Sequence, residues 1–497
     1  MLFTQTRNNI IKFTNQNSDH TRRISDIPNI QQPPIQETFP FNQDLQHFLS
    51  CKRLLADELP FTHDTLQTHY QNGYLKLDYG IHSTKTGTKC NRCGNNDQNL
   101  FASFNCARCH QMCTYCRHCI MMGRVSECTP LISWIGPQPR SMGQHVNLSW
   151  EGTLSKGQQL ASDRVVKAIQ SNTSLLVWAV CGAGKTEVLF KGIETAISKG
   201  GRVCIATPRT DVVLELSPRL KQVFPNIEVV TLYGGSEDRT KNALLTIATT
   251  HQLLRYYRAF DTLIIDEVDA FPFSIDSTLE YAEKKARKEE GSLIYLSATP
   301  SRKIQREVSA KSLESVVIPA RYHQQPLPVP TLMWCGKWER KILKGLLPAN
   351  VRVWVRKHME KGSPIFLFVP NIALLEKVVK ILTQEHGNLV AGVHSKDTER
   401  KEKVTMFREG KIKILVTTTI LERGVTVENV QVGVLGAEED VFTESALVQI
   451  AGRVGRSSQY PSGDVRFFHY GKTNEMVAAV DQIRKMNYQA RKGGFFQ

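Results

Sequence analysis

From residue 154 to about 319, short apolar runs alternate with stretches whose apolar residues recur at helical spacing. The runs fall at 175–180, 203–206, 229–232, 244–248, 263–265 and 293–296. Runs without polar alternation belong to strands buried on both faces, so the pattern predicts a parallel sheet wound with helices over 151–318. Pro319, Pro326, Pro328 and Pro330 then break it. Proline neither continues a helix nor sits in a central strand, so 319–345 reads as an interdomain linker. The alternation resumes at 365–369, 389–393, 414–418, 430–435 and 465–469, predicting a second α/β domain over 346–485. Residues 1–45 are rich in Asn, Gln, Thr and Pro without sustained periodicity, which predicts a mostly disordered tail. From about Gln46 a short helical segment bearing Leu49, Leu54, Leu55 and Leu59 opens an N-terminal region, 46–150, that is dominated by cysteines.

With 497 residues and 41% hydrophobic content, the chain can bury two such cores. Its net charge is +16, and residues 1–150 hold 14 Lys+Arg against 10 Asp+Glu, so +12 lies on the predicted α/β domains. Such an excess favours a polyanionic partner. No run of about 18 apolar residues occurs, and the N-terminus lacks the apolar core of a signal peptide. No transmembrane segment and a cytoplasmic location are therefore expected. In that compartment the twelve cysteines stay reduced rather than forming disulfides.

The first apolar run leads into Ala179-Val180-Cys181-Gly182-Ala183-Gly184-Lys185-Thr186, followed by the apolar start of a helix. That is the strand-to-helix context of a phosphate-binding loop, with Ala179 standing where the pattern usually opens on glycine. Gly182 and Gly184 let backbone N–H groups close around phosphate oxygens, Lys185 reaches the β- and γ-phosphates of ATP, and the Thr186 hydroxyl can ligate Mg²⁺. A later run ends in Asp266-Glu267-Val268-Asp269, where Asp266 can hold Mg²⁺ and Glu267 can orient the attacking water. Either motif alone also describes a glycine turn or an acidic strand end; the two in this order describe an ATP-hydrolysing site. In the second domain, Gln449-Ile-Ala-Gly-Arg453-Val-Gly-Arg456 sets two guanidinium groups one helical turn apart, suited to bracketing a γ-phosphate. The block 417–426 follows a strand and presents hydroxyls and charges at a glycine turn.

Eight cysteines crowd into 90–128: Cys90, Cys93, Cys106, Cys109, Cys113, Cys116, Cys119 and Cys128. Cys-x-x-Cys pairs suit tetrahedral Zn²⁺, whose binding energy would replace a missing apolar core in a module over about 88–124. Spacing leaves two sets open: Cys90, Cys93, Cys106 and Cys109, or Cys90, Cys93, Cys116 and Cys119. Cys106, Cys109 and Cys113, with His110, His118 or Cys128, are candidates for a second metal.

Over nearly all of 154–470 the chain resembles the superfamily 2 helicases and translocases, with their blocks in family order. These are Gln158 in Leu154-Ser-Lys-Gly-Gln158, the phosphate loop, Thr207-Pro208-Arg209-Thr210, Asp266-Glu267-Val268-Asp269, Ser297-Ala298-Thr299, the 417–426 block, and Gln449 to Arg456. The resemblance implies two tandem RecA-like domains. It implies an adenine-reading role for Gln158, strand tracking for 207–210, and coupling of nucleotide state to lobe motion through Ser297 and Thr299. Arg453 and Arg456 would reach across the cleft to the γ-phosphate. Gln449 and Ile450 stand where RNA-remodelling relatives commonly carry His and Arg, which argues against RNA as substrate.

Phrases such as Thr249-Thr-His-Gln-Leu-Leu-Arg-Tyr256, Ile264-Ile-Asp-Glu-Val-Asp-Ala-Phe-Pro272 and Phe442-Thr-Glu-Ser-Ala-Leu-Val-Gln449, with the upstream cysteines, narrow this further. They make the chain similar to the ComFA family, late-competence motors of Gram-positive bacteria. That likeness implies an ATP-dependent translocase on single-stranded DNA that brings transforming DNA into the cytoplasm at the inner face of the membrane. It implies as partners a phosphoribosyltransferase-like competence protein and a membrane DNA channel. In the family the closing cysteine pair stands directly before a Met-Met-Gly-Arg-like block, here Met121-Met-Gly-Arg124, so the resemblance selects Cys90, Cys93, Cys116 and Cys119 as the Zn²⁺ ligands. Two rival readings are a replication-restart helicase, in which such a cluster interrupts the motor instead of preceding it, and a zinc-dependent nucleic-acid scaffold with a vestigial ATPase. Intact Lys185, Asp266, Glu267, Arg453 and Arg456 argue against the second.

Overall fold

The computed structural model describes residues 2–5, 11–14, 21–84, 87–139, 145–421 and 427–496. Two parallel sheets carry the two α/β regions, as the apolar runs predict. The first orders its strands Val229–Leu232, Leu245–Thr249, Val203–Thr207, Phe260–Asp266, Arg287–Ser297, Ser174–Ala179 and Glu314–Ile318. The second orders Thr331–Trp334, Val465–His469, Gln431–Leu435, Ile365–Phe368, Ile414–Thr417 and Val390–Val393. Central strands such as Val203–Thr207 and Gln431–Leu435 are buried at every position, the burial that unbroken apolar runs require. Among the described residues, no helix is long and apolar enough to cross a membrane.

Two strands lie outside the predicted runs. Glu314–Ile318 pairs with Ser174–Ala179 in parallel register, Val316 opposite Val177. Thr331–Trp334 sits inside the stretch read as a linker, yet it pairs with Val465–His469. The prolines up to Pro330 precede it, and it occupies the sheet edge, where neighbouring prolines are tolerated.

The chain falls into two compact units. The first comprises Met1–Glu151, Val166–Ser174 and Lys191–Tyr295. Its N-terminal part is a three-stranded antiparallel sheet, Arg53–Leu55, Pro130–Trp134 and Leu75–Tyr79, covered by the helices Gln43–Leu49 and His63–Gln71. Leu54 and Leu55, expected on a helix, are therefore strand residues. The expected disordered tail is also corrected for its described residues: Leu2–Gln5 pairs antiparallel with Ile11–Thr14. Phe3, Ile11, Phe13, Ile24 and Ile27 join the same core as Leu49, Tyr70 and Trp134. Their spacing is too irregular to read as an element. Burying each Phe or Ile contributes about 1.5–3 kcal/mol, which offsets part of the cost of ordering a polar segment.

The cysteine module is bolted to the rest of this unit by buried charge. Arg92, fully buried between two cysteines, donates to both carboxylate oxygens of Glu58 at 3.1 Å, and Arg255 reaches the same carboxylate at 3.0 Å. Lys285, on the helix Ser277–Ala286, donates to the carbonyls of Arg92 and Leu254 at 2.8 Å each.

The second unit comprises Gly152–Val165, Leu175–Phe190 and Leu296–Gln497. Its C-terminal sheet packs on helices Ala349–Glu360 and Ile372–His386 through Trp354, Leu367, Val378, Leu382, Val416 and Phe468. Asp464 caps this core, receiving Trp354 Nε1 at 3.2 Å, His358 Nε2 at 3.3 Å and Arg466 Nε at 2.7 Å. Burial pushes its carboxyl up, but the His358 and Arg466 hydrogen bonds outweigh it and hold the group at about 2.

Candidate nucleotide site and cysteine clusters

In the second unit the strand Ser174–Ala179 runs directly into the loop Val180-Cys181-Gly182-Ala183-Gly184, and Lys185 and Thr186 open the helix Lys185–Ser198. The loop closes by Ala183 N–H donating to Val180 O at 3.1 Å. Gly184 has φ +73°, and a Cβ there would lie 2.3 Å from Gln158 Nε2, so only glycine leaves room for that side chain. Gln158 is buried, donates to Ala183 O at 2.9 Å and accepts from Ser155 N–H at 2.8 Å. It therefore grips the loop itself. One N–H and one lone pair of its amide remain beyond these two bonds.

The same loop is tied to residues of the C-terminal helicase-like segment. Cys181 Sγ donates to Gln449 Oε1 at 3.0 Å, and a Cβ on Gly452 would meet Cys181 Cβ at 2.5 Å, so the Cys181 side chain packs on the backbone at 452 because that position is glycine. Arg321, 1% exposed, donates to the carbonyls of Cys181 at 3.3 Å, Gly452 at 3.4 Å and Gly455. Burial, with the charge of Arg456 adding to it, lowers its pKa to about 10. No sequence motif flags Arg321, a single cation in a proline-rich stretch. Thr299 Oγ1 and Ser445 Oγ lie 2.8 Å apart, and Gln482 Nε2 and Trp178 Nε1 both donate to Ala298 O, at 2.8 and 3.1 Å. Ser297 is fully buried and accepts from Thr299 N–H at 2.9 Å.

Arg453 and Arg456 are not on a helix face. The helix Glu444–Ala451 ends at Gly452, and Gly455, at φ +71°, carries the chain round a turn. Arg453 is buried, and Arg456 turns its Nε back to Gly452 O at 3.0 Å. The left-handed turn at Gly455 keeps the second arginine from stacking a turn above the first. In the 417–426 block, Thr417 donates to Val393 O at 2.9 Å, while Glu422 to Thr426 lie outside the described residues.

In the first unit, Asp266 ends the strand Phe260–Asp266, and its carboxylate accepts from Glu267 N–H at 2.9 Å. Glu267 adopts φ +58°, a left-handed conformation that costs a non-glycine residue of order 1 kcal/mol. Thr207 is buried at the end of Val203–Thr207, and Arg209 precedes the helix Thr210–Val223.

The eight cysteines of the module form two groups of four. Cys90, Cys93, Cys116 and Cys119 are buried, with their sulfurs all within 4.8 Å of one another. Cys90 and Cys119 stand 3.8 Å apart and Cys93 and Cys116 3.7 Å. A Zn–S bond of about 2.3 Å in a tetrahedron puts sulfurs about 3.8 Å apart, so the spacing fits the ion. The inner set that spacing left open is not assembled, because Cys106 and Cys109 belong to the other group.

Comparison with known proteins follows the same division. Residues 32–133 match the competence protein ComFA N-terminal domain, 151–302 the type III restriction enzyme res subunit, and 341–458 the helicase conserved C-terminal domain. The structure of Saccharomyces cerevisiae Dbp5 bound to RNA and ADP BeF3 is 15% identical, with a TM-score of 0.50 covering 67% of this chain and 88% of that one; the likeness is one of fold, the paired RecA-like helicase domains. Competence protein ComFA of Streptococcus pneumoniae (strain ATCC BAA-255 / R6) is 40% identical over 76% of this chain and 86% of its own. Competence protein ComFA of Bacillus subtilis (strain 168) is 50% identical over 92% of this chain and 98% of its own. With two relatives so similar along nearly their whole length, the chain belongs to the ComFA family of competence proteins.

Proposed function

We propose that the chain is an ATP-driven translocase on single-stranded DNA that draws transforming DNA into the cytoplasm during competence. The observation that carries this reading is the hydrogen-bonded path from the phosphate loop to the helicase-like C-terminal segment: Cys181 to Gln449, Arg321 to Gly452 and Gly455, Thr299 to Ser445. A nucleotide in the loop alters groups that the C-terminal segment already holds, which is what coupling of hydrolysis to movement requires. In this reading the phosphates lie in the loop of Ala179 to Thr186, with Lys185 on the β/γ oxygens. Thr186 and Asp266 are the residues that would ligate Mg²⁺, and Glu267 would orient the water. Arg453 and Arg456 offset charge on the transferring phosphoryl. The free N–H and lone pair of Gln158 match the N6/N7 edge of adenine, so base recognition reports directly to the loop.

Zn²⁺ held by Cys90, Cys93, Cys116 and Cys119 supplies the module's core. The basic excess of the α/β regions supplies affinity for the DNA backbone. Family membership favours work at the inner face of the membrane, with a phosphoribosyltransferase-like competence protein and a DNA channel as partners. The test is steady-state ATP hydrolysis by the full chain alone and with single-stranded DNA, duplex DNA or RNA, at two salt concentrations. Single-stranded DNA should stimulate most, and the apparent affinity should fall with salt. Equal stimulation by RNA would remove the substrate assignment, and no turnover under any condition would remove the motor.

A further inference from the structure

The second group of four cysteines is built like the first. In the first group, Cys90 N–H donates to Asn95 O at 2.9 Å, Gly94 N–H donates to Cys90 O at 2.8 Å, and Gly94 has φ +76°. In the second, Cys106 N–H donates to Gln111 O at 3.0 Å, His110 N–H donates to Cys106 O at 2.8 Å, and His110 has φ +53°. Both turns thus place a left-handed residue four positions after the first cysteine and aim two sulfurs, three residues apart, at one point. That His110 accepts this conformation without being glycine marks a turn imposed by its surroundings.

The other two sulfurs come from different elements. Cys113 lies on the strand Met112–Cys116 and Cys128 in the turn closed by Thr129 N–H donating to Ser126 O at 3.1 Å. Glu127 pins that turn to the strand, its carboxylate accepting from Thr114 N–H at 2.7 Å and its N–H donating to Thr114 O at 3.0 Å. The four sulfurs lie within 4.8 Å of one another, all four residues are buried, and Cys106 and Cys128 stand 3.6 Å apart. A disulfide needs about 2.05 Å, whereas tetrahedral Zn²⁺ needs about 3.8 Å. Hydrophobic packing is a poor alternative cause, since among the described residues only Leu2 and Phe104 accompany the thiols in their cluster. Of the two histidines in reach by sequence, His110 is exposed and His118 points Nε2 at Asp276, 3.3 Å away.

We infer that Cys106, Cys109, Cys113 and Cys128 bind a second structural Zn²⁺, so that each chain carries two. On binding, the thiols release their protons to solvent and the ion takes four thiolates, leaving the site net negative. Arg108 and Arg124 line the same cavity as Cys106 and Cys128, Arg108 also pairing with Asp57 at 2.5 Å. The two sites interlock, because the strand Met112–Cys116 gives Cys113 to one and Cys116 to the other. Losing either ion therefore slackens a strand that the other needs.

The test is zinc content of the purified full chain, with the same measurement on Cys93→Ser and Cys128→Ser. Two Zn²⁺ per chain are expected for the native protein and about one for each variant, since three thiolates hold the ion far less well. Because a variant that fails to fold would report nothing, the native chain is also titrated with a mercurial while zinc release is followed. Release of two ions per chain supports the inference. Release of one, with zinc lost in Cys93→Ser and retained in Cys128→Ser, overturns it while leaving the first site intact.

Discussion

Replacing Arg321 by Met should separate stability from coupling. The guanidinium makes three hydrogen bonds to carbonyls, and among the described residues no carboxylate pairs with it. A hydrogen bond from a charged donor contributes about 1.5–3 kcal/mol, and two of these are long, so the set contributes roughly 5 kcal/mol. Against it stands the desolvation of an uncompensated cation, several kcal/mol, which also explains the downward pKa shift. The terms nearly cancel. Arg321→Met, similar in volume, should change unfolding free energy by no more than about 2 kcal/mol. Turnover should respond differently, because Arg321 ties the phosphate loop to the turn that carries Arg453 and Arg456. A misplacement of about 1 Å costs on the order of 10²-fold in rate. The assay is steady-state ATP hydrolysis with saturating single-stranded DNA beside urea unfolding of the same preparation. A kcat lower by that order, a KM for ATP changed only slightly, and an intermediate Arg321→Lys mark a positioning role, since Lys keeps the charge but not the fork. An Arg321→Met protein that turns over like wild type would refute the reasoning.

The hydroxyl pair Thr299–Ser445 should give a coupling of about 0.5–1.5 kcal/mol in a double-mutant cycle of Thr299→Val and Ser445→Ala, read in DNA-stimulated hydrolysis; additive effects would mean that the contact transmits nothing. Asp464 supplies a pH test. Its folded pKa, about 2, lies below the ordinary 3.8, so its stabilisation is present above about pH 4 and lost as pH falls toward 2. Discounted for partial exposure, wild type should lose about 1 kcal/mol more than Asp464→Asn in unfolding of the C-terminal core between about pH 5 and pH 2.5; equal losses would remove the assignment.

The two sheets were legible because strands buried on both faces leave unbroken apolar runs: all eleven runs became strands, ten within three residues of their expected ends, while Arg287–Ser297 starts six residues before its run because its first half is polar. Glu314–Ile318 was hidden by its polar start and the proline after it, and Thr331–Trp334 by the prolines before it. Edge strands need less apolar sequence, so they leave a weaker signal. The N-terminal segment misled for another reason: its composition is polar, and its order comes from single residues such as Phe3 and Ile24 meeting a core built elsewhere. At the nucleotide site the motifs were readable, but their connections were not. Nothing in the order of residues pairs Cys181 with Gln449 or brings Arg321 under Gly455. The expected helical pairing of Arg453 and Arg456 failed because the helix ends at Ala451 and the chain turns at Gly455, φ +71°, between the two arginines. Cys128 stands alone, outside any Cys-x-x-Cys pair, and only the turn held by Glu127 shows which cysteines it joins.

In the proposed motor, the loop ending in Lys185 and Thr186 binds ATP while the strand end at Asp266 and Glu267 drives its hydrolysis. The most direct measurement compares ATP affinity and single-turnover hydrolysis, with single-stranded DNA present, for wild type, Lys185→Ala and Glu267→Gln. Glu267→Gln should bind ATP nearly as wild type and lose on the order of 10³ in rate, whereas Lys185→Ala should lose binding as well. Equal loss of affinity in both variants, or hydrolysis that survives Glu267→Gln, would contradict it.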